Sequence, residues 1–379
     1  MFMKFALLLS LAVPLAASSL DERVAKGMRE MMAGHEVPGA VTLVATRERV
    51  THLRAIGAAG PAGSPAMRKD SIFWIASMTK PITGTAILML QDDGKLNVND
   101  LAGKYIPELA NLKTPSGKPA NLTLKHLMTH SSGLAEATND ESKLARKLGD
   151  LIPAYASKPM QFEPGSKWQY CQSGINTLGR IVEVVSGQPY EEFLAARLFR
   201  PLGMKDTTFY LQPKQMGRLV TPVKKETDGK FTAATVALLY GKPATDRGHF
   251  PAANGGLFTT AADYALFARM ILNGGKLKGK QYLRAESVTL MTAVQSGDLK
   301  TGFTPGNGWG LTWCVVREPQ GVTAMLSPGT HGHGGAYGTQ AWIDPKKGVV
   351  LIMMVQRSNF ANGDNSAVRM AFQQAATAE

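Results

Sequence analysis

Strand-like segments stand at both ends of this chain, and helical periodicity fills the middle. Near the start, Pro38 to Ala45 and Val50 to Ile56 are β-prone runs joined by the polar stretch Thr46 to Arg49, which reads as a hairpin. Near the end come Gly308 to Arg317, Gly321 to Leu326, Thr339 to Ile343 and Val349 to Val355, the last two joined by the turn sequence Asp344-Pro345-Lys346-Lys347-Gly348. The spacing predicts helices at 21–34, 77–92, 123–130, 141–156, 173–186, 189–198, 261–273 and 364–377. Short connections between strands favour antiparallel pairing. The expected fold is therefore α/β in the α+β sense: an antiparallel sheet flanked by helices, built from both termini, with an all-helical domain inserted. The expected boundaries are 20–95 with 251–379 for a discontinuous α/β domain, and 96–250 for a mainly helical one, with the active site at their interface.

Composition narrows the function classes. The chain has 44% hydrophobic and 19% charged residues, which fits a folded core and excludes a disordered or collagen-like chain. Its two cysteines, Cys171 and Cys314, exclude a disulfide-stapled scaffold and a Cys-rich zinc module; free thiols are the expectation, with a Cys171–Cys314 disulfide the alternative in an exported chain. The formal net charge is +13, from 42 Lys and Arg against 29 Asp and Glu. The basic runs (Lys224-Lys225, Lys276 to Lys280, Lys346-Lys347) are short and dispersed, so no nucleic-acid partner is expected, although contact with anionic cell-envelope material is. Residues 1–19 combine Lys4, an apolar run and small residues, the architecture of a secretory signal peptide. That pattern predicts a periplasmic or secreted protein with no stable membrane insertion once the leader is removed.

Several hydrolase and nucleotide signals are absent from the sequence: Gly-x-Ser-x-Gly, His-Glu-x-x-His, Gly-x-Gly-x-x-Gly and the P-loop. Three stretches remain. Ser77-Met78-Thr79-Lys80 follows the apolar Ile72 to Ala76 and opens an expected helix. Positions i and i+3 share a helix face, so the hydroxyl and the amine can meet, and a free N–H at a helix start suits an oxyanion. A Ser N-cap followed by a surface Lys would read the same way. Next, Tyr170 lies in Trp168-Gln169-Tyr170-Cys171-Gln172-Ser173-Gly174, and a phenol can shuttle a proton if a nearby cation lowers its pKa. Third, Thr330-His331-Gly332-His333-Gly334-Gly335-Ala336-Tyr337-Gly338-Thr339 enters a strand, and its glycines let a substrate lie close to the backbone. Its His-x-His pair has no further ligands in view, so no metal and no cofactor are expected, and His126 and His130 read as ordinary helix and loop histidines.

In this order and together, the three stretches resemble the serine β-lactamase/penicillin-binding protein superfamily. The likeness is greatest to class C β-lactamases and the family VIII carboxylesterases. Leu124 to Leu134, Gly255 to Tyr264 and Ala341 to Pro345 add to it, so it spans roughly residues 22–377. The resemblance implies roles: Ser77 as acylated nucleophile, Lys80 as its activating partner, and Tyr170 at the tyrosine of a Tyr-x-Asn motif. It implies an oxyanion hole from the N–H groups of Ser77 and Ala336, and substrate contacts from Gln172, His333, Gly334 and Gly335. Two departures stand out: Gln172 replaces the Asn, and His333-Gly334-Gly335 replaces Lys-Thr-Gly. A largely neutral imidazole holds a substrate carboxylate less well than a lysine. The implied function is an exported serine carboxylesterase acting on a small-molecule ester or amide. The alternatives are a β-lactamase or D-amino-acid peptidase acting on β-lactams or peptidoglycan fragments, and a non-catalytic binding module.

Overall fold

In the first strand, β1 (Gly39–Thr46), side chains alternate between two cores. Val41, Leu43 and Ala45 enter one, and Ala40 and Val44 enter the other. The last strand, Val349–Met354, divides in the same way, with Val350, Ile352 and Met354 on one face and Leu351 and Met353 on the other. Both strands are therefore largely apolar, because both of their faces are packed; Thr42 is the buried polar exception in β1. The computed structural model describes residues 18–378; the leader expected at 1–19 lies almost wholly outside them.

The sheet has seven strands. With β2 (Val50–Gly57), β3 (Asn307–Trp309), β4 (Cys314–Val316), β5 (His331–Gly334), β6 (Gln340–Asp344) and β7 (Val349–Met354), its order is β2-β1-β7-β6-β5-β4-β3. Every neighbouring pair is antiparallel. The two chain ends meet inside it, one strand in from the β2 edge, where Val41 pairs with Met354 and Thr46 with Val349.

Helices α1 (Leu20–Ala33) and α5 (Ala367–Thr377) pack on each other and cover one face through Val24, Met28, Val368 and Phe372. A Ser19–Glu22 capping box starts α1. On the opposite face lie α2 (Thr79–Asp92) and α4 (Ala261–Leu272), and α3 (Gln172–Ser186) packs against α2. Residues Thr79 to Leu90 of α2 are all buried, so this helix is the spine on which the site is built. Between 96 and 250 the chain is largely short helical turns, with one small hairpin, Val223–Lys225 against Phe231–Ala233.

Several elements differ from expectation for local reasons. The run Gly308 to Arg317 is two strands, because the chain reverses through Thr312 at φ +69°. Thr312 presses on α2 at Gly84, where an added Cβ would lie 2.1 Å from the Thr312 hydroxyl, so only glycine fits there. Gly321 to Leu326 is not a strand: Gly321, at φ +53°, opens a 3₁₀ turn, Gly321–Thr323. Its apolar Val322 and Leu326 are buried as plugs and do not alternate across a sheet. The helix expected at 141–156 is broken into Asn139–Leu144, a 3₁₀ turn at Leu148–Leu151, and Ile152–Ala156. Helix Ala285–Thr292 was not expected. Both cysteines are buried free thiols, in separate core clusters.

Candidate active site

Ser77 is delivered by a tight turn. Phe73–Trp74 pairs with Phe258–Thr259, and Ile75 N–H donates to the Leu257 carbonyl at 3.0 Å. Ala76 then takes φ +44°, a left-handed conformation that costs a residue bearing a Cβ. Ser77 therefore lies in a 3₁₀ turn, Ala76–Met78, just before α2 and not inside it as the helical spacing suggests. N–H groups at such a start lack intrahelical acceptors.

Lys80, one turn on, is fully buried. Its Nζ lies 3.1 Å from Ser77 Oγ, 2.9 Å from Gln172 Oε1 and 2.8 Å from the Asn254 carbonyl. Burial brings the amine down to about 7, and the negative charge of Glu136 is the main influence opposing it. Gln172 Oε1 also accepts from Asn254 Nδ2 at 2.9 Å.

Tyr170 stands beside this pair. Lys80 Nζ is 4.6 Å from the centroid of its ring. Its hydroxyl is 3.4 Å from His333 Nε2. Burial pushes the phenol above its ordinary range, and a hydrogen bond with Ser77 opposes this. A nearby cation was expected to lower this pKa; desolvation outweighs any such effect, because the neighbouring Lys80 amine is itself driven towards neutrality.

His333 is held by a bond of its Nδ1 to the Gly334 carbonyl at 2.7 Å. A carbonyl only accepts, so Nδ1 carries the proton and Nε2 is a bare acceptor facing the Tyr170 hydroxyl. Burial, reinforced by Lys80, pushes this imidazole down to about 3. Gly335 lies so close to Ile75 that an added Cβ would sit 2.6 Å from its carbonyl oxygen. That contact sets the turn carrying Ala336, which is exposed, against the segment leading to Ser77. Gly334 is backed by Asp364. Thus Ser77, Lys80, Tyr170, Gln172 and His333 form one connected cluster, with Gly334, Gly335 and Ala336 along its edge.

Three further residues belong to this cluster. His130, read as an ordinary histidine, is buried at φ +58°, and its ring lies 4.4 Å from that of Tyr170. Its Nδ1 accepts the Cys171 N–H at 3.1 Å. Asn254 supplies both its carbonyl and its amide. Glu136 accepts from the backbone N–H groups of Gln172 and Ser173. His130 and Asn254 lie in or beside stretches already singled out, whereas Glu136 has no local signal.

Comparison with known proteins gives a consistent result. The family model described as Beta-lactamase matches residues 24–375. Protein Rv1367c of Mycobacterium tuberculosis is 31% identical over 358 residues, covering 87% of this chain and 88% of that protein. Esterase EstB of Burkholderia gladioli is 27% identical over 374 residues, covering 90% and 92%. Among solved structures, that of EstCE1, a hydrolase with promiscuous acyltransferase activity, matches with a TM-score of 0.80 at 21% identity, covering 93% of this chain and 98% of that one.

Proposed function

This chain belongs to the Beta-lactamase family, and from that premise we propose that it is a carboxylesterase working through an acyl-enzyme on Ser77. The coarser statement, that it is a β-lactamase-like serine hydrolase, follows from the family itself. In the proposed reaction, neutral Lys80 takes the Ser77 proton as Oγ attacks the ester carbonyl. Backbone N–H groups of Ser77 and Ala336 receive the developing oxyanion. As the C–O bond breaks, the Tyr170 hydroxyl gives its proton to the leaving alkoxide and is reprotonated by the Lys80 ammonium beside it, which returns both groups to their starting states. Water then attacks the acyl group, with the same base, and releases the acid and free Ser77.

Lys80 suits the part of base better than Tyr170. Its amine sits near 7 and touches Oγ, whereas the phenol is held protonated. One observation carries the substrate class: His333, at the place of the family's Lys-Thr-Gly lysine, is buried and stays uncharged. It offers no fixed cation to a substrate carboxylate, which favours an uncharged ester. The name of EstB, a relative along nearly the whole chain, agrees with that choice. Export to a periplasm or exterior belongs to the same proposal and rests on the leader-like residues 1–19.

The test is turnover of p-nitrophenyl butyrate, nitrocefin and a D-Ala-D-Ala peptide side by side, with intact-mass detection of the acylated protein. The expected result is the highest kcat/KM for the ester and a mass increase that maps to Ser77. A higher kcat/KM for nitrocefin or the peptide would reverse the assignment.

A further inference from the structure

The first turn of α3 is capped in an unusual way. Its N-cap is Cys171, whose Sγ reaches the Gly174 N–H at 3.5 Å, and a thiol sulfur is a weak acceptor. The N–H groups of Gln172 and Ser173 are instead taken by the two carboxylate oxygens of Glu136, from a loop 36 and 37 residues upstream; the Ser173 bond measures 2.9 Å. That loop is itself tied down: Lys158 Nζ donates to the Glu136 carbonyl at 2.9 Å and pairs with Glu141 at 2.6 Å. Gln172 is thus gripped at its backbone by an anion while its side chain accepts from Lys80.

We propose that Glu136 is a positioning residue for the Ser77–Lys80 pair, acting through Gln172. This rests on the reading of Ser77 as nucleophile and Lys80 as base. The carboxylate does two things at once. It fixes the start of α3, so that Gln172 Oε1 stays between Lys80 Nζ and Asn254 Nδ2. It also places a negative charge one residue away from a buried amine.

The other titratable groups acting on Lys80 or lying against it are the Cys171 thiol, the Tyr170 phenol, and the His130 and His333 imidazoles. Burial drives both histidines down and the phenol and thiol up, so all four are uncharged near neutrality. Among the described residues, Glu136 is therefore the carboxylate that holds Lys80 partly protonated against its burial. An anion favours the ammonium form, so removing it lets Lys80 shed its proton at lower pH. Glu136 is exposed, so salt screens the effect.

The experiment measures the rate of Ser77 labelling by a fluorophosphonate against pH, at low and high salt. The proteins compared are the wild type, Glu136→Gln and Glu136→Ala, each checked by circular dichroism and thermal unfolding. This readout follows the nucleophile whatever the natural substrate. In Glu136→Gln, which keeps one acceptor oxygen, the rising limb is expected to move to lower pH, with labelling at pH 6 about two- to fivefold faster at low salt. Glu136→Ala is expected to show the same acid-ward limb with a plateau roughly tenfold lower, because Gln172 is no longer held. A purely structural cap would lower Tm and leave the limb in place; an unmoved or alkaline-shifted limb in folded Glu136→Gln therefore overturns the proposal. A wild type that is not labelled at Ser77 overturns the acyl-enzyme reading itself, and this inference with it.

Discussion

Two hydroxyls in this molecule end hydrogen-bonded relays, one on the sheet and one at the start of α2. On the sheet, Asp21 Oδ1 lies 2.7 Å from His52 Nδ1, and His52 Nε2 lies 2.8 Å from Thr42 Oγ1. By bond lengths alone this acid–imidazole–hydroxyl series is better formed than the Ser77–Lys80–Tyr170 cluster, whose contacts include 3.1 and 3.4 Å. Yet Thr42 is 1% exposed and His52 has a fully covered side chain; only Asp21 reaches water. No carbonyl can approach Thr42. The relay ties α1 to β1 and β2, and its bonds stabilise the fold. Ser77 is only partly buried, and it follows a strained alanine. Access and a base tuned near neutrality, not bond length, separate a reactive site from a structural one.

The comparison is broken most directly by paired substitutions. Ser77→Ala is expected to lower ester turnover by about 10⁴-fold or more, whereas Thr42→Val leaves kcat/KM unchanged and lowers Tm by a few degrees. Loss of turnover in folded Thr42→Val would erase the distinction. A smaller effect is expected at the phenol. Tyr170→Phe should lower kcat by roughly 100-fold while the rising limb of kcat/KM stays near pH 7, the value set by Lys80. Disappearance of that limb would transfer the role of base to Tyr170.

The smallest effect concerns acid stability. His331 and His333 are pushed by burial to about 4 and about 3, from an ordinary 6.5. Between pH 6.5 and 4 the unfolded chain binds these protons and the folded one does not, so stability falls as pH falls through that window. The slope is roughly 1.4 kcal/mol per pH unit for each histidine. Denaturant midpoints at pH 7 and pH 5 measure it, and His333→Gln should flatten the curve. An unchanged slope in that variant would place the buried charge cost elsewhere.

Much of this architecture was legible in the residues. The first and last strands announced themselves because β1 and β7 carry apolar residues on both faces, and Ser77, Lys80 and Tyr170 because their local patterns are unusual. What stayed hidden depends on contacts between distant segments. Thr312 splits a β-prone run because it wedges against Gly84, more than 200 positions earlier. His130 looks ordinary until the fold stacks it on Tyr170. Glu136 is one acidic residue among many until α3 arrives with two unpaired amides. The upward push on Tyr170 also lay out of reach, since desolvation is a property of the surroundings and not of the local sequence.

The pairing of Val41 with Met354 has a temporal consequence. A nascent chain emerging from the ribosome has β1 and β2 early, but their neighbour β7 is among the last segments to be made. Until then the hairpin presents an open apolar edge, the kind of surface that invites capture by other chains. Such long-range closure also predicts sluggish refolding from denaturant. Removing residues beyond 348 would leave β1 without this partner and so abolish folding altogether.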